Sequence, residues 1–189
     1  MRSTLLVLFL AAPAFAGGKF TLTSADVKPN SVLTDKHVFN GMGCAGENLS
    51  PVLTWADPPK DTKSFVVTVY DPDAPTGSGW WHWVVYNIPA DAKELAQGAG
   101  SGKADLPKDA VQGRTDFGAP GFGGACPPEG DKPHRYIFTV YALKVDKIDV
   151  PADASAAYVG FMTNANKLGS ATFTAKYSRP KAKAAPAAK

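Results

Sequence analysis

SFVVTVYDPDAPTGSGWWHWVVYNIP, residues 64–89, decides the fold class. Ser64 to Tyr70 and His82 to Ile88 are built from Val, Phe, Tyr, Trp, Thr and Ile, the side chains that fit a pleated sheet. Between them, Pro72 and Pro75 hold Asp71 and Ala74 out of the helical region, so the link stays extended and turns stiffly. The stretch reads as strand, turn, strand. Asp71 and Asp73, two apart in extended chain, point the same way. Two carboxylates on one rigid rim repel unless donors, cations or a shared proton compensate. Asp before Pro is also common in ordinary turns, so a structural corner and a ligand rim both stand at this point.

The same residue types recur at Lys19–Thr23, His134–Leu143 and Ala171–Tyr177, separated by Gly, Pro, Asn and Asp clusters. Only Ala152–Leu168 reads as a helix, with Asp153 as its cap and Gly169 as its stop. There is no internal repeat and no second compositional zone. The economical fold is mainly all-β, a single antiparallel β-sandwich with one or two short helices, spanning residues 17–178.

MRSTLLVLFLAAPAFA, residues 1–16, has one cation at Arg2, an apolar run from Leu5 to Ala12 and small residues at Ala14 and Ala16. That is the pattern of a signal peptide cleaved after Ala16, and its apolar run is too short for a permanent transmembrane anchor. A periplasmic or secreted protein is expected. The whole chain carries a formal charge of +3. Removing Arg2 leaves +2, and setting aside the four cations of RPKAKAAPAAK, residues 179–189, leaves the body at −2. The basic balance belongs to that Ala/Pro/Lys tail, which reads as a disordered end. No basic stripe interleaves with aromatics, which argues against nucleic acid as a partner.

Export permits a disulfide, and Cys44 and Cys126 are the two cysteines. One bridge or two separate buried thiols both fit. Neither residue sits in a pattern that activates a catalytic thiol.

A second segment bears on function. GFGGACPPEGDKPHRYIFTVYAL, residues 121–143, is a glycine-rich loop, a Pro-Pro pair and a strand opening with His134 and Tyr136, which share one face. The amides of Gly123, Gly124 and Ala125 are placed to converge on an anion, because glycine permits the concave backbone that aims N–H groups inward. With His82, two imidazoles, a phenol, two carboxylates and an amide nest would meet at one end of the sandwich. The histidines lack the short spacing of a metal site, so no metal and no cofactor are expected. GAGSGKAD, residues 98–105, fits neither a nucleophile elbow, which needs Gly where Ala99 stands, nor a phosphate loop, which needs Gly where Gln97 stands. It reads as a flexible loop.

DPDAPTGSGWWHWVVYNIP and GGACPPEGDKPHRYIFTVYAL resemble the two signature regions of the phosphatidylethanolamine-binding protein family. TGSGWWHW, HVFNGMGCAGENLSP and GRTDFG are similar to its bacterial Raf-kinase-inhibitor-like branch. The resemblance covers Lys19 to Tyr177. It implies a Greek-key sandwich with a small anion pocket for phosphate or a phosphoethanolamine head group. By motif, the ligand-binding residues are Asp71, His82, Gly124 with its loop, Pro128, His134 and Tyr136; Asp73 matches too, with turn stabilisation as its expected role. Asp71 is expected to hydrogen-bond His82 and orient its ring, and alternation sends Trp81 and Trp83 together away from His82 into the core. A bridge between Cys44 and Cys126 is expected to pin the pocket loops. The resemblance also carries homodimers as an expectation. Its animal members have a longer, basic passage where Thr76–Gly79 is short and neutral, which does not fit direct kinase inhibition. An anion-binding protein with a regulatory role is the reading, rather than an enzyme. A weak hydrolase using the Asp/His pocket, or a kinase-inhibitor-like regulator acting through a surface away from it, are the alternatives.

Overall fold

The computed structural model describes residues 18–181. The signal peptide expected over residues 1–16 and the tail beyond Lys181 lie outside the described residues.

The opening stretch forms the centre of the fold. Strands β5 (Ser64–Asp71) and β6 (Trp80–Pro89) make an antiparallel hairpin across the Asp-Pro-Asp corner. Strand β9 (His134–Leu143) pairs with the free side of β5, and β10 (Lys167–Tyr177) pairs with β9. The short β8 (Val111–Gln112) completes the edge beyond β6. The order is β10-β9-β5-β6-β8: after β5, β6 and β8, the chain returns to lay β9 beside β5, which is the Greek-key arrangement. A second sheet, β1 (Thr21–Thr23), β4 (Leu53–Ala56) and β7 (Glu94–Leu95), covers one face. A two-residue ribbon, β2 (Asn40–Gly41) with β3 (Cys44–Ala45), sits at the pocket end.

β5 lacks a strict apolar-polar alternation, with Phe65, Val66, Val67 and Val69 all buried, because both of its faces are covered. Phe65, Val67 and Val69 face the second sheet and meet Leu22, Leu53, Trp55 and Leu95 in the main core. Val66 faces the other way and packs with Val84, Tyr86 and Leu143 beneath helix α1 (Ala156–Asn166), through Ala156 and Val159. Each fully buried Val or Phe contributes about 1.5–3 kcal/mol to that packing.

Several boundaries differ from the sequence reading. The helix is shorter than Ala152–Leu168: its cap is Ser155, whose hydroxyl accepts from the Tyr158 amide at 3.2 Å, while Ala154 is still in a turn bonded to Pro151. After Asn166 the chain goes straight into β10, so Leu168 and Gly169 are strand residues. Gly169 is required there by close approach, since a Cβ would lie 2.8 Å from Pro59 Cγ. The expected strands at Ser64–Tyr70, His82–Ile88 and Ala171–Tyr177 are extended at one or both ends, whereas that at Lys19–Thr23 is shorter. The loop around Ser101 is packed rather than flexible: Ser101 Oγ donates to Asn48 O (2.7 Å) and accepts from Ser50 N (2.9 Å). Gly100 there lies so close to Trp83 that a Cβ would come within 2.6 Å of the indole.

Candidate functional site

Antiparallel pairing brings the end of β5 beside the starts of β6 and β9, so Asp71, Trp80, His82, His134 and Tyr136 converge at one end of the inner sheet face. Loops carrying Met42, Phe117, Cys126, Pro127 and Pro128 close the space, together with Ala74, Pro75 and Thr76 of the hairpin turn. The result is a cavity of about 190 Å³. Its floor is polar and its rim is apolar, and it is smaller than the roughly 300–1,000 Å³ typical of sites for drug-sized ligands.

A β-bulge aims His82. Val69 pairs with Trp83 and Tyr70 with Trp81, leaving His82 as the extra residue of β6. The bulge breaks the expected alternation. Trp83 enters the inter-sheet core and donates from its indole to Gln112 Oε1 (2.8 Å), whereas Trp81 packs on the helix side.

Asp71 does not orient His82. Its Oδ2 accepts from His134 Nδ1 at 2.7 Å, and its Oδ1 accepts from the amides of Asp73 (2.8 Å) and Ala74 (3.1 Å). The carboxylate and imidazole are both buried, at 3% and 5% side-chain exposure. An ionised carboxylate only accepts, so His134 carries its proton on Nδ1. Its other ring nitrogen lies 3.4 Å from Asp131 Oδ2 at the rim. His82 is held instead by the glycine loop, its Nδ1 donating to Gly123 O at 2.7 Å. Burial pushes the His82 imidazolium down from the ordinary 6.5, only partly opposed by hydrogen bonding to the loop carbonyls and by the Asp71 charge. Neutral His82, protonated on Nδ1, leaves Nε2 as an acceptor without a protein partner among the described residues. The ring packs edge-on against Tyr136 (5.1 Å) and Phe117 (5.4 Å).

Tyr136 forms one wall, and its hydroxyl is buried without a hydrogen-bond partner among the described residues. Burial, reinforced by the Asp71 charge and only weakly opposed by the nearby Cys126 backbone, raises its pKa far above 10, so the phenol stays neutral.

The expected amide nest is not formed. Gly123 N donates to His82 O (2.9 Å), Gly124 N to Asn48 Oδ1 (2.7 Å) and Ala125 N to His37 O (3.0 Å). The glycines serve close packing instead: a Cβ on Gly124 would lie 2.5 Å from His37 O. Gly124 therefore stands outside the cavity lining. Asp73 does too. Its carboxylate takes two hydrogen bonds from the Arg135 guanidinium (2.8 and 2.7 Å) and one from the Arg135 amide (2.9 Å). The guanidinium bonds hold its carboxyl at about 2. Asp73 thus stabilises the turn and the start of β9.

The sequence reading missed Met42, Trp80, Phe117, Pro127 and Asp131, and it missed Asn48, which ties the glycine loop from below by also donating to Phe122 O (3.2 Å). Phe117 lies within the GRTDFG motif, but no spacing rule marks it as a wall residue. Asp116 beside it accepts from the Trp81 amide at 2.7 Å and sets that wall against β6.

Cys44 and Cys126 form a disulfide, with Cα atoms 6.0 Å apart and a sequence separation of 82. It joins the β2–β3 ribbon to the Pro-Pro loop, and Cys126 itself lines the cavity.

The pattern of phosphatidylethanolamine-binding proteins matches residues 23–178. The chain belongs to this family. It is 54% identical over 180 residues to the UPF0098 protein YbcL of Escherichia coli, covering 94% of this chain and 98% of that one. It is 57% identical over 157 residues to E. coli YbhB, covering 83% and 99%. The crystal structure of E. coli YbcL, described as a new member of the mammalian family, superposes with a TM-score of 0.82 at 58% identity over 85% of this chain and 99% of that one. A Chlamydia trachomatis homologue gives 0.71 at 30% identity, covering 85% and 97%. The Plasmodium vivax phosphatidylethanolamine-binding protein, at 18% identity and a TM-score of 0.53 over 85% of each chain, shares the fold.

Proposed function

We propose that this protein is an exported receptor for a small anionic group of phosphate type, free or as a phospholipid head, seated on His82, His134 and Tyr136. One observation carries the reading: two imidazoles, each already held through Nδ1, share a cavity with a phenol that lacks a partner among the described residues. The Nδ1 atoms are engaged by Gly123 O and Asp71, so a guest meets the opposite edges of the rings, taking His82 Nε2 directly and competing with Asp131 for His134 Nε2. A hydrogen phosphate supplies both halves of the match. Its P–OH donates to the neutral His82 Nε2, and its oxygens accept from Tyr136 and from His134 when that ring is charged. Asp71 is no obstacle, because its three hydrogen bonds already occupy it; its role is to hold His134. The collar of Met42, Pro75, Trp80, Phe117, Pro127 and Pro128 surrounds the polar floor with apolar groups, which lowers the local dielectric and strengthens these interactions, and it offers an apolar surface to an ester substituent.

The reading favours a receptor over a hydrolase. The pocket's other hydroxyl, Thr76 Oγ1, donates to Gly79 O at 2.6 Å, and its cysteine is held in the disulfide. The bridge and the leader at residues 1–16 suit an oxidising compartment outside the cytoplasm.

Calorimetry with inorganic phosphate and O-phosphoethanolamine tests the proposal. A charged imidazole in the pocket attracts the anion and adds a donor to it, so binding favours proton uptake at the site and affinity should rise as pH falls from 8 to 5.5. A flat titration across that range would falsify it.

A further inference from the structure

We propose that Arg179 is a positioning residue of the pocket: its guanidinium ties together the same two loops that the disulfide joins, so the wall and the two sulfurs keep their register when the bond is reduced.

Composition alone groups Arg179 with the disordered tail, and the structure corrects this. Its main chain bridges to Glu129 and its carbonyl accepts from Gly130 N (3.1 Å). The side chain is only 17% exposed. Nε donates to Pro127 O at 2.6 Å, and Nη1 donates to Gly43 O at 3.0 Å and to Glu129 Oε1 at 3.3 Å. Gly43 directly precedes Cys44, and Pro127 directly follows Cys126. One planar cation therefore spans the chain neighbours of both half-cystines.

The local chemistry makes this interaction necessary. Pro127 and Pro128 have no N–H, so main-chain bonding can hold that stretch only through its carbonyls. Upstream, Ala125 is fixed by its bonds with His37 and Phe39. Downstream of Cys126, the Pro127 carbonyl is fixed by Arg179. On the other loop, Gly41 and Gly43 have φ of +143° and +80°, and Met42 between them stands at +53°. The ribbon there is two residues long on each side. Met42, Pro127 and Pro128, all pocket walls, are thus held by the disulfide and by Arg179. Only a guanidinium fork reaches both carbonyls at once; an ammonium does not span them.

In reduction, a dithiol such as dithiothreitol gives two electrons and two protons to the S–S bond and leaves as its cyclic disulfide, and Cys44 and Cys126 become thiols. With Arg179 in place they stay adjacent, which favours re-closure by keeping their effective concentration high.

The pocket half of this inference rests on the proposed ligand reading, whereas the clamp is tested without ligand. The full chain is equilibrated with dithiothreitol redox buffers, and the thiols are alkylated and counted by mass. Arg179→Ala should shift the equilibrium toward the dithiol by about five-fold or more, consistent with a lost charge-assisted hydrogen bond, and Glu129→Ala should leave it near wild type. In parallel, phosphate affinity of the wild type should fall by less than about three-fold on reduction, and that of reduced Arg179→Ala by about ten-fold or more. A wild-type redox equilibrium in Arg179→Ala overturns the clamp, and so does an equal shift in Glu129→Ala, which would assign the effect to charge alone. If Arg179→Ala does not fold, Arg179→Lys takes its place and the same equilibrium decides. Failure of phosphate to bind even the oxidised wild type sinks the ligand reading and leaves the redox result to judge the clamp.

Discussion

Replacing Tyr136 by Phe removes one oxygen atom and separates the needs of folding from those of binding. The hydroxyl is buried against the pocket wall and has no partner among the described residues. A desolvated, unpaired hydroxyl costs about 1–3 kcal/mol, and the dispersion attraction that the oxygen itself supplies offsets only a few tenths of a kcal/mol of that. Tyr136→Phe should therefore stabilise the empty protein by about 1–2 kcal/mol. At about 2–4 °C per kcal/mol for a domain of this size, the Tm of the unliganded protein should rise by roughly 2–8 °C. Binding should move the other way. Loss of one hydrogen bond to a charged guest, worth about 1.5–3 kcal/mol, should weaken phosphate by about 10- to 100-fold. Differential scanning calorimetry without ligand and isothermal titration with phosphate measure the two arms. A fall in Tm would refute the argument, since it would mean that the hydroxyl is structurally satisfied. A rise in Tm with unchanged affinity would remove Tyr136 from the ligand site.

Other perturbations probe the remaining groups. Asp71→Ala leaves His134 Nδ1 and two turn amides without their acceptor in a buried site, so urea unfolding should show a loss of about 3–5 kcal/mol; a loss below about 1 kcal/mol would mean that the pair is dispensable. His82 has a folded value below its ordinary 6.5, so the unfolded chain binds the extra proton. Stability from this group is full above 6.5 and declines as pH drops toward the folded value, by up to about 1.4 kcal/mol per pH unit; the decline should disappear in His82→Asn followed by urea midpoints from pH 7.5 to 5. Asp131→Asn removes a half-exposed carboxylate 3.4 Å from His134 Nε2 and should tighten phosphate by about two- to five-fold, the scale of a surface charge pair. Weaker binding in that variant would show that Asp131 helps the guest rather than competing with it.

Much of the fold is legible in the sequence because it depends on local patterns. The β5–β6 hairpin follows from two β-rich runs around a proline-stiffened corner, and His134–Leu143 has in the fold the same boundaries that its residue types imply. Short elements are not legible. β7 and β8 are two residues each, and their pairing depends on partners far away in sequence. The helix cap is ambiguous from sequence because Asp153 and Ser155 are both capping residues, and only the Pro151 turn selects the second.

At the site, the sequence by itself determined that His134 and Tyr136 share a strand face, and its resemblance to the family added Asp71 and His82 to the same pocket; the residues alone left one bridge or two thiols open until the fold placed the two cysteine Cα atoms 6.0 Å apart. The tertiary structure alone decided what these groups do to one another. A single extra residue in β6 turned Trp81 and Trp83 to opposite faces, and a distant Asn48 captured an amide that the glycine pattern had offered to an anion. The physical reason is range. Backbone propensity acts over a few residues, whereas a hydrogen bond is decided by angstrom-scale positions of atoms many tens of residues apart, and Asp71 chose His134 over His82 on those terms.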